Sequence, residues 1–136
     1  MSREDGDIYE QQVEEICRAL GYQVIAPPAG NNKDWDRIVN GFRVQIKKRG
    51  VDATKPNCIR LVTSLSSSEA AYHSNDVDAF AIFWRQCWYV IPADSLADTA
   101  GHIGNGLHMP KYAHYARRWD LLAGGKVEHD VQKVMF

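Results

Sequence analysis

The sequence predicts a single α/β domain, and three observations carry that prediction. An acidic amphipathic stretch near the N-terminus has helical spacing. Several short apolar runs are punctuated by turn residues, Asn40-Gly41 above all. A late aromatic-rich segment, Lys111 to Ala123, again has helical spacing and precedes Gly124-Gly125. A chain of 136 residues fits one domain, 1–136, with a core over about 7–123 and a C-terminal tail over 124–136.

The first helix is expected over Asp7 to Leu20. Tyr9, Val13, Ile16, Cys17 and Leu20 recur at the spacing of one face and are expected to meet the core. Asp5 or Asp7 caps its start, and Gly21 ends it in a left-handed conformation. Tyr22 to Ile25 reads as a short strand. Pro27, Pro28 and Gly30-Asn31-Asn32 make the next stretch a loop. Asp36 to Val39 and Phe42 to Lys47 read as a hairpin about Asn40-Gly41.

A third strand lies near Cys58 to Val62. Ser66-Ser67-Ser68-Glu69 reads as a helix start leading to Tyr72. Val77 to Trp84 and Cys87 to Ile91 are apolar strands joined by Arg85-Gln86, with Pro92 to Ser95 closing the hairpin. Gly101 to Gly106 reads as a loop. Lys111 to Ala123 is expected to be the second helix, with Tyr112, Tyr115 and Trp119 along it.

Composition excludes several classes. No apolar run is long enough to span a membrane, and the N-terminus Met1-Ser2-Arg3-Glu4-Asp5 has no apolar signal segment, so a cytoplasmic protein is expected. Cys17, Cys58 and Cys87 are odd in number and far apart, which suits reduced thiols better than disulfides or a zinc site. The net charge of -1 advertises no polyanion partner, but its distribution is uneven. The first fifteen residues are acidic, whereas Lys33 to Arg60 is rich in cations able to neutralise phosphates.

One constellation carries chemistry. In the strand Phe42 to Arg49, alternation puts Val44 and Ile46 on one face and Gln45 and Lys47 on the other. Asp36 starts the neighbouring strand. If the helix residue Glu10 packs above this sheet, Glu10, Asp36, Gln45 and Lys47 converge. Asp36 offers a hard oxygen to Mg²⁺, and Gln45 and the Ile46 carbonyl offer neutral ones. Glu10 completes the shell directly or through water. A cation there activates a water, and Lys47 orients it and neutralises developing charge. That equipment suits phosphodiester hydrolysis.

These residues carry a resemblance. Helix Glu10, then Gly21-Tyr22-Gln23-Val24, Asp36-Arg37-Ile38-Val39 and Val44-Gln45-Ile46-Lys47 resemble the PD-(D/E)xK, or restriction-endonuclease-like, nuclease superfamily. The pattern is similar to archaeal Holliday-junction resolvases. It is more similar to homing endonucleases of cyanobacterial group I introns, where Gln replaces the usual acid. Asp76 to Phe80, Trp88 to Pro92 and Tyr115 to Leu122 also resemble that branch, so the likeness covers most of 7–123. Trp35 stands where the motif has Pro.

The resemblance implies a mixed β-sheet flanked by helices and metal-dependent cleavage of DNA. Mg²⁺ is the implied cofactor, with Mn²⁺ able to substitute, and a homo-oligomer, dimer or tetramer, is implied. It assigns the site to Glu10, Asp36, Gln45 and Lys47.

Each residue has a plainer reading. Glu14, one turn from Glu10, and Asp34, beside Asp36, are competitors. Lys47 lies within a run of three cations. Lys33, Arg43, Lys48 and Arg49 either hold DNA phosphates or form a solvated face. Trp84, Trp88, Tyr115 and Trp119 suit a core better than a base-stacking platform. A DNA-binding module of the same fold without cleavage, or a subunit-assembly protein, are the rival functions. The shape of the DNA substrate is not legible at this level.

Overall fold

The structure is a computed structural model, described here for residues 3–26, 35–48, 57–62 and 69–124. The helix α1 spans Arg3–Ala19, four residues earlier at its start than the sequence predicts. Its C-terminus closes as a Schellman motif. Tyr22 N–H donates to the Cys17 carbonyl at 2.9 Å and Gly21 N–H to the Arg18 carbonyl at 3.0 Å. Gly21 takes φ +83°, the left-handed conformation this closure requires.

Among the described residues, nine short strands follow: β1 (Val24–Ile25), β2 (Arg37–Val39), β3 (Phe42–Lys48), β4 (Cys58–Arg60), β5 (Ala70–His73), β6 (Ala79–Trp84), β7 (Cys87–Pro92), β8 (His102–Gly104) and β9 (Gly106–His108). The central sheet has five strands in the order β1-β2-β3-β6-β7. Only β3 and β6 run parallel, so the sheet is mixed. This is the α/β, restriction-endonuclease-like architecture that the motif pattern implies.

Each face of the sheet has its own core. On one face Val13 and Cys17 of α1 are fully buried against Val39, Val44, Ile46, Ala79, Ala81, Trp88, Val90, Trp119 and Leu122. Burial pushes the Cys17 thiol up to about 11, so it stays protonated and inert. On the other face Phe80, Ile82, Tyr89 and Ile91 pack beneath two small antiparallel ribbons, β4 with β9 and β5 with β8. The buried Asn105 joins those ribbons. Its side chain exchanges two hydrogen bonds with Val62, and its main chain takes the Leu61 N–H and donates to Glu69.

Four expectations are corrected. Leu20 is half-exposed rather than turned to the core, because the Schellman turn swings it away after Cys17. Glu69 leads into β5 and not into a helix, because Ala70, Tyr72 and His73 find strand partners on β8. Gly101 to Gly106 is no plain loop and supplies β8 and the start of β9. Lys111 to Ala123 is no α-helix. Two 3₁₀ turns, Met109–Tyr115 and Trp119–Leu122, are split by Ala116, which bridges Tyr89, and by Arg117 at φ +56°. Tyr112 and Tyr115, three apart, fit a 3₁₀ segment as well as an α-helix, while Trp119 opens the second segment.

Two hairpins turn on two residues each. Asn40-Gly41 has φ +50° and +87°, and Arg85-Gln86 has φ +49° and +62°. The first pair is the one such turns prefer. The second places two side-chain-bearing residues in the left-handed region, at about 1 kcal/mol each. Trp84, Trp88 and Trp119 are buried, as expected of core residues.

Candidate active site

The hairpin about Asn40-Gly41 builds the site. Asn40 Oδ1 accepts the Gln23 N–H at 2.9 Å and its Nδ2 donates to the Leu122 carbonyl at 2.8 Å, so the turn is tied to both flanks. The register pairs Arg37 with Val44. Paired residues share a face, and alternation therefore sends Asp36, Gln45 and Lys47 to the opposite one.

Asp36 sits just ahead of β2. Its N–H donates to the Val44 carbonyl at 2.8 Å, and its Oδ2 accepts the Ile46 N–H at 2.8 Å. The carboxylate is thereby held against the second half of β3, beyond the end of the β2 ladder. A strand residue's N–H and C=O point toward the same neighbour, so the Ile46 carbonyl emerges on the Asp36 side.

Gln45 is buried between Val44 and Ile46, and its Oε1 has no hydrogen-bond partner among the described residues. Leaving such an oxygen unsatisfied costs about 1–3 kcal/mol. Lys47 follows on the same face, its Nζ 6.0 Å from the Tyr72 ring centroid.

The electrostatics are those of a desolvated site. Burial raises the Asp36 carboxyl above the usual range, although the Ile46 N–H, Lys47 and Arg37 pull the other way. Burial likewise lowers the Lys47 ammonium, against the attraction of Asp36. In both groups desolvation outweighs the favourable partner.

Glu10 is placed differently. Its Oε1 accepts from Arg37 Nη1 at 2.9 Å on the helix side of the sheet, while Glu14 Oε2 takes Arg37 Nε at 3.1 Å and Nη2 at 3.0 Å. Arg37 Nη1 also donates to the Asp36 carbonyl at 2.6 Å. Glu10 and its competitor Glu14 thus share one guanidinium, which touches the Asp36 backbone. Among the described residues, no three His, Cys, Asp or Glu side chains gather as a metal cage. Asp36, Gln45 and Lys47 are brought together, and Glu10 adjoins them through Arg37.

Arg37 is the residue that sequence reasoning passed over. Its signal was present: an arginine alternating with Ile38 in an apolar strand, opposite two glutamates four apart on a helix. Of the phosphate-contact candidates, Lys33 and Arg49 lie outside the described residues, as do Asp34 and the tail from 125. Arg43 is committed within the fold, to Asp78 at 3.1 and 3.2 Å and the Asn75 carbonyl at 2.8 Å. Lys48 lies 5.4 Å over the Tyr9 ring.

The donor set suits a hard divalent cation. A carboxylate, an orphaned amide oxygen and a main-chain carbonyl are all oxygen ligands, which Mg²⁺ takes alongside several waters. The buried Gln45 Oε1, without a partner among the described residues, is the structural sign of that fit.

Comparison with known proteins agrees. The family model described as PD-(D/E)XK endonuclease matches residues 1–121. Among solved structures, the chain is similar to a bacterial homing endonuclease, I-Ssp6803I. The TM-score is 0.63 at 20% identity, covering 96% of this chain and 95% of that one. That likeness speaks for the fold. No curated protein matches the chain. Among the described residues, no helix is long and apolar enough to cross a membrane. The chain belongs to the PD-(D/E)XK endonuclease family and is, by that membership, a DNA endonuclease.

Proposed function

We propose that the chain hydrolyses DNA phosphodiester bonds with Mg²⁺, Mn²⁺ substituting, at the site formed by Asp36, Gln45, Ile46 and Lys47. The observation that carries this reading is the buried Gln45 Oε1, without a partner among the described residues, beside a carboxylate raised by burial. Both groups are costly to the fold as they stand, and a cation relieves both. Asp36, Gln45 Oε1 and the Ile46 carbonyl would hold it, and Glu10, bound to Arg37 on the helix side, would contribute only through water. Such a cation lowers the pKa of a bound water and stabilises charge on the phosphate.

Lys47 would hydrogen-bond the attacking water and face the charge that builds on the phosphate oxygens. Its lowered pKa suits proton exchange with the water better than an ordinary lysine does. The Ile46 N–H keeps Asp36 aimed while the cation is bound. A domain of this size cuts both strands of a duplex as a pair of copies, so a dimer or tetramer is the expected working form.

The test is cleavage of supercoiled plasmid and of a synthetic four-way junction, with Mg²⁺ and with chelator, beside Lys47→Ala. Cutting that needs the cation and is lost in the variant supports the reading. Retention of the full rate in Lys47→Ala overturns it. The placement of Glu10 on Arg37 favours one rival, a module that binds DNA without cutting it. Calorimetric titration with Mg²⁺ separates the two, because a silent module has no need to bind the ion.

A further inference from the structure

Among the described residues, four other than glycine have positive φ: Asn40, Arg85, Gln86 and Arg117. Asn40 is explained by its turn type and its side-chain bonds. The other three lie together at one end of the sheet. Arg85-Gln86 forms the β6–β7 turn, and Arg117 N–H donates to the carbonyl of Trp88, one residue past the start of β7. The Trp84 ring under Arg85 packs against Tyr89 at 5.8 Å, and Tyr89 is bridged to Ala116, the residue before Arg117, so the two arginines lie on neighbouring parts of the fold. Backbone strain of this kind clusters at active sites and ligand clamps.

The surroundings favour an anion. Arg85 stacks on the Trp84 ring at 4.7 Å, and one of its terminal nitrogens donates to Asn57 Oδ1 at 2.8 Å. The fork is pre-oriented, not folded back onto a carboxylate. Gln86 and Arg117 are exposed. No acidic residue occurs from Ala79 to Ala93 or from Thr99 to Trp119.

This surface lies at the same sheet end as the candidate site. The parallel register sets Lys47 beside Ile82 and Lys48 beside Phe83, so Arg85 stands three residues beyond Lys47. At about 3.3 Å per residue that is about 10 Å, or about three base-pair rises of DNA.

We infer that the strained Arg85-Gln86 turn, with Arg117 beside it, grips the backbone of duplex DNA next to the phosphodiester presented to Lys47. The inference rests on the endonuclease reading for its partner and goes beyond it in assigning the contact surface. Asn-Gly at the turn would keep the hairpin and relax its backbone, and the arginine and glutamine are held there for what their side chains touch.

The experiment measures binding of a fluorescently labelled mixed-sequence DNA duplex by anisotropy, in chelator and over a salt series. It compares the wild type with the double variant Arg85→Asn, Gln86→Gly and with Arg117→Gln. The turn variant is expected to melt higher than the wild type yet bind about tenfold more weakly at low salt. Its log affinity against log salt is expected to be shallower by about 0.9, one phosphate contact. Arg117→Gln is expected to lower the slope similarly.

Unchanged affinity and slope in both variants overturns the inference, and so does a wild type that binds no duplex. Because binding is read without the cation, cleavage does not enter it. A wild type that binds through this surface but cuts nothing with Mg²⁺ refutes the hydrolytic reading alone.

Discussion

The two faces of β3 around the site are built on opposite principles. On the helix side, Arg37 is only 14% exposed, yet its guanidinium is matched by Glu10, Glu14 and the Asp36 carbonyl. Charge there is compensated and ties α1 to β2. On the other side Asp36 and Lys47 are both shifted toward their neutral forms by burial, and Gln45 Oε1 has no partner among the described residues. The first face serves the fold, and the second holds groups that the fold alone would not choose. Proteins carry such stability costs where a ligand is to relieve them.

The largest expected effect is on catalysis. Lys47→Ala should lower the Mg²⁺-dependent cleavage rate by about 10³-fold or more, with no loss of thermal stability. If the protein unfolds instead, the two faces are not different in kind. Next in size is Arg37→Ala, which removes the guanidinium shared by two partly buried glutamates and leaves Glu14 its pair with Arg18; it should cost about 2–3 kcal/mol in urea unfolding. A change within experimental error would show that the helix side is not an organising contact.

Smaller, and of opposite sign, is the relief of the costly face. Gln45→Leu removes a buried unsatisfied oxygen and should stabilise the cation-free protein by about 1 kcal/mol, while calorimetry shows weaker Mg²⁺ binding. Destabilisation would mean the amide is satisfied in solution.

The smallest effect is in pH. Asp36 has a raised folded pKa, so its contribution to stability is full below its unfolded value and is lost as pH rises through the folded value. In chelator, the wild type should therefore lose stability over the range just above ordinary carboxylate titration, relative to Asp36→Asn. With Mg²⁺ present that loss should shrink, since the ion favours the ionised form. Cleavage should fall on the acid side at a higher pH than an unperturbed aspartate gives. Parallel stability profiles of wild type and Asp36→Asn would remove the desolvation argument.

Much of this was legible because its causes are local. Gly21 after an apolar-periodic helix and Asn40-Gly41 between apolar runs are signals of backbone conformation, readable wherever they occur. Alternation placed Gln45 and Lys47 on one face without reference to the rest of the chain. The spacing of the aromatics misled, because Tyr112, Tyr115 and Trp119 fit two helical periods, and a bridge from Ala116 to Tyr89 decided against the α-helix. The helix expected to run from Glu69 to Tyr72 yielded to strand pairing between β5 and β8, which is long-range.

The sequence by itself determined the α/β class, the helix end at Gly21, the hairpin at Asn40-Gly41, and the residues Asp36, Gln45 and Lys47 as one set. These follow from residue-level conformational preference and from strand periodicity. Only the tertiary structure decided that Glu10 faces Arg37, that Gln45 Oε1 has no partner among the described residues, and that the strained Arg85-Gln86 turn lies near Arg117. Those facts depend on which distant groups share a desolvated space, and no local preference encodes that.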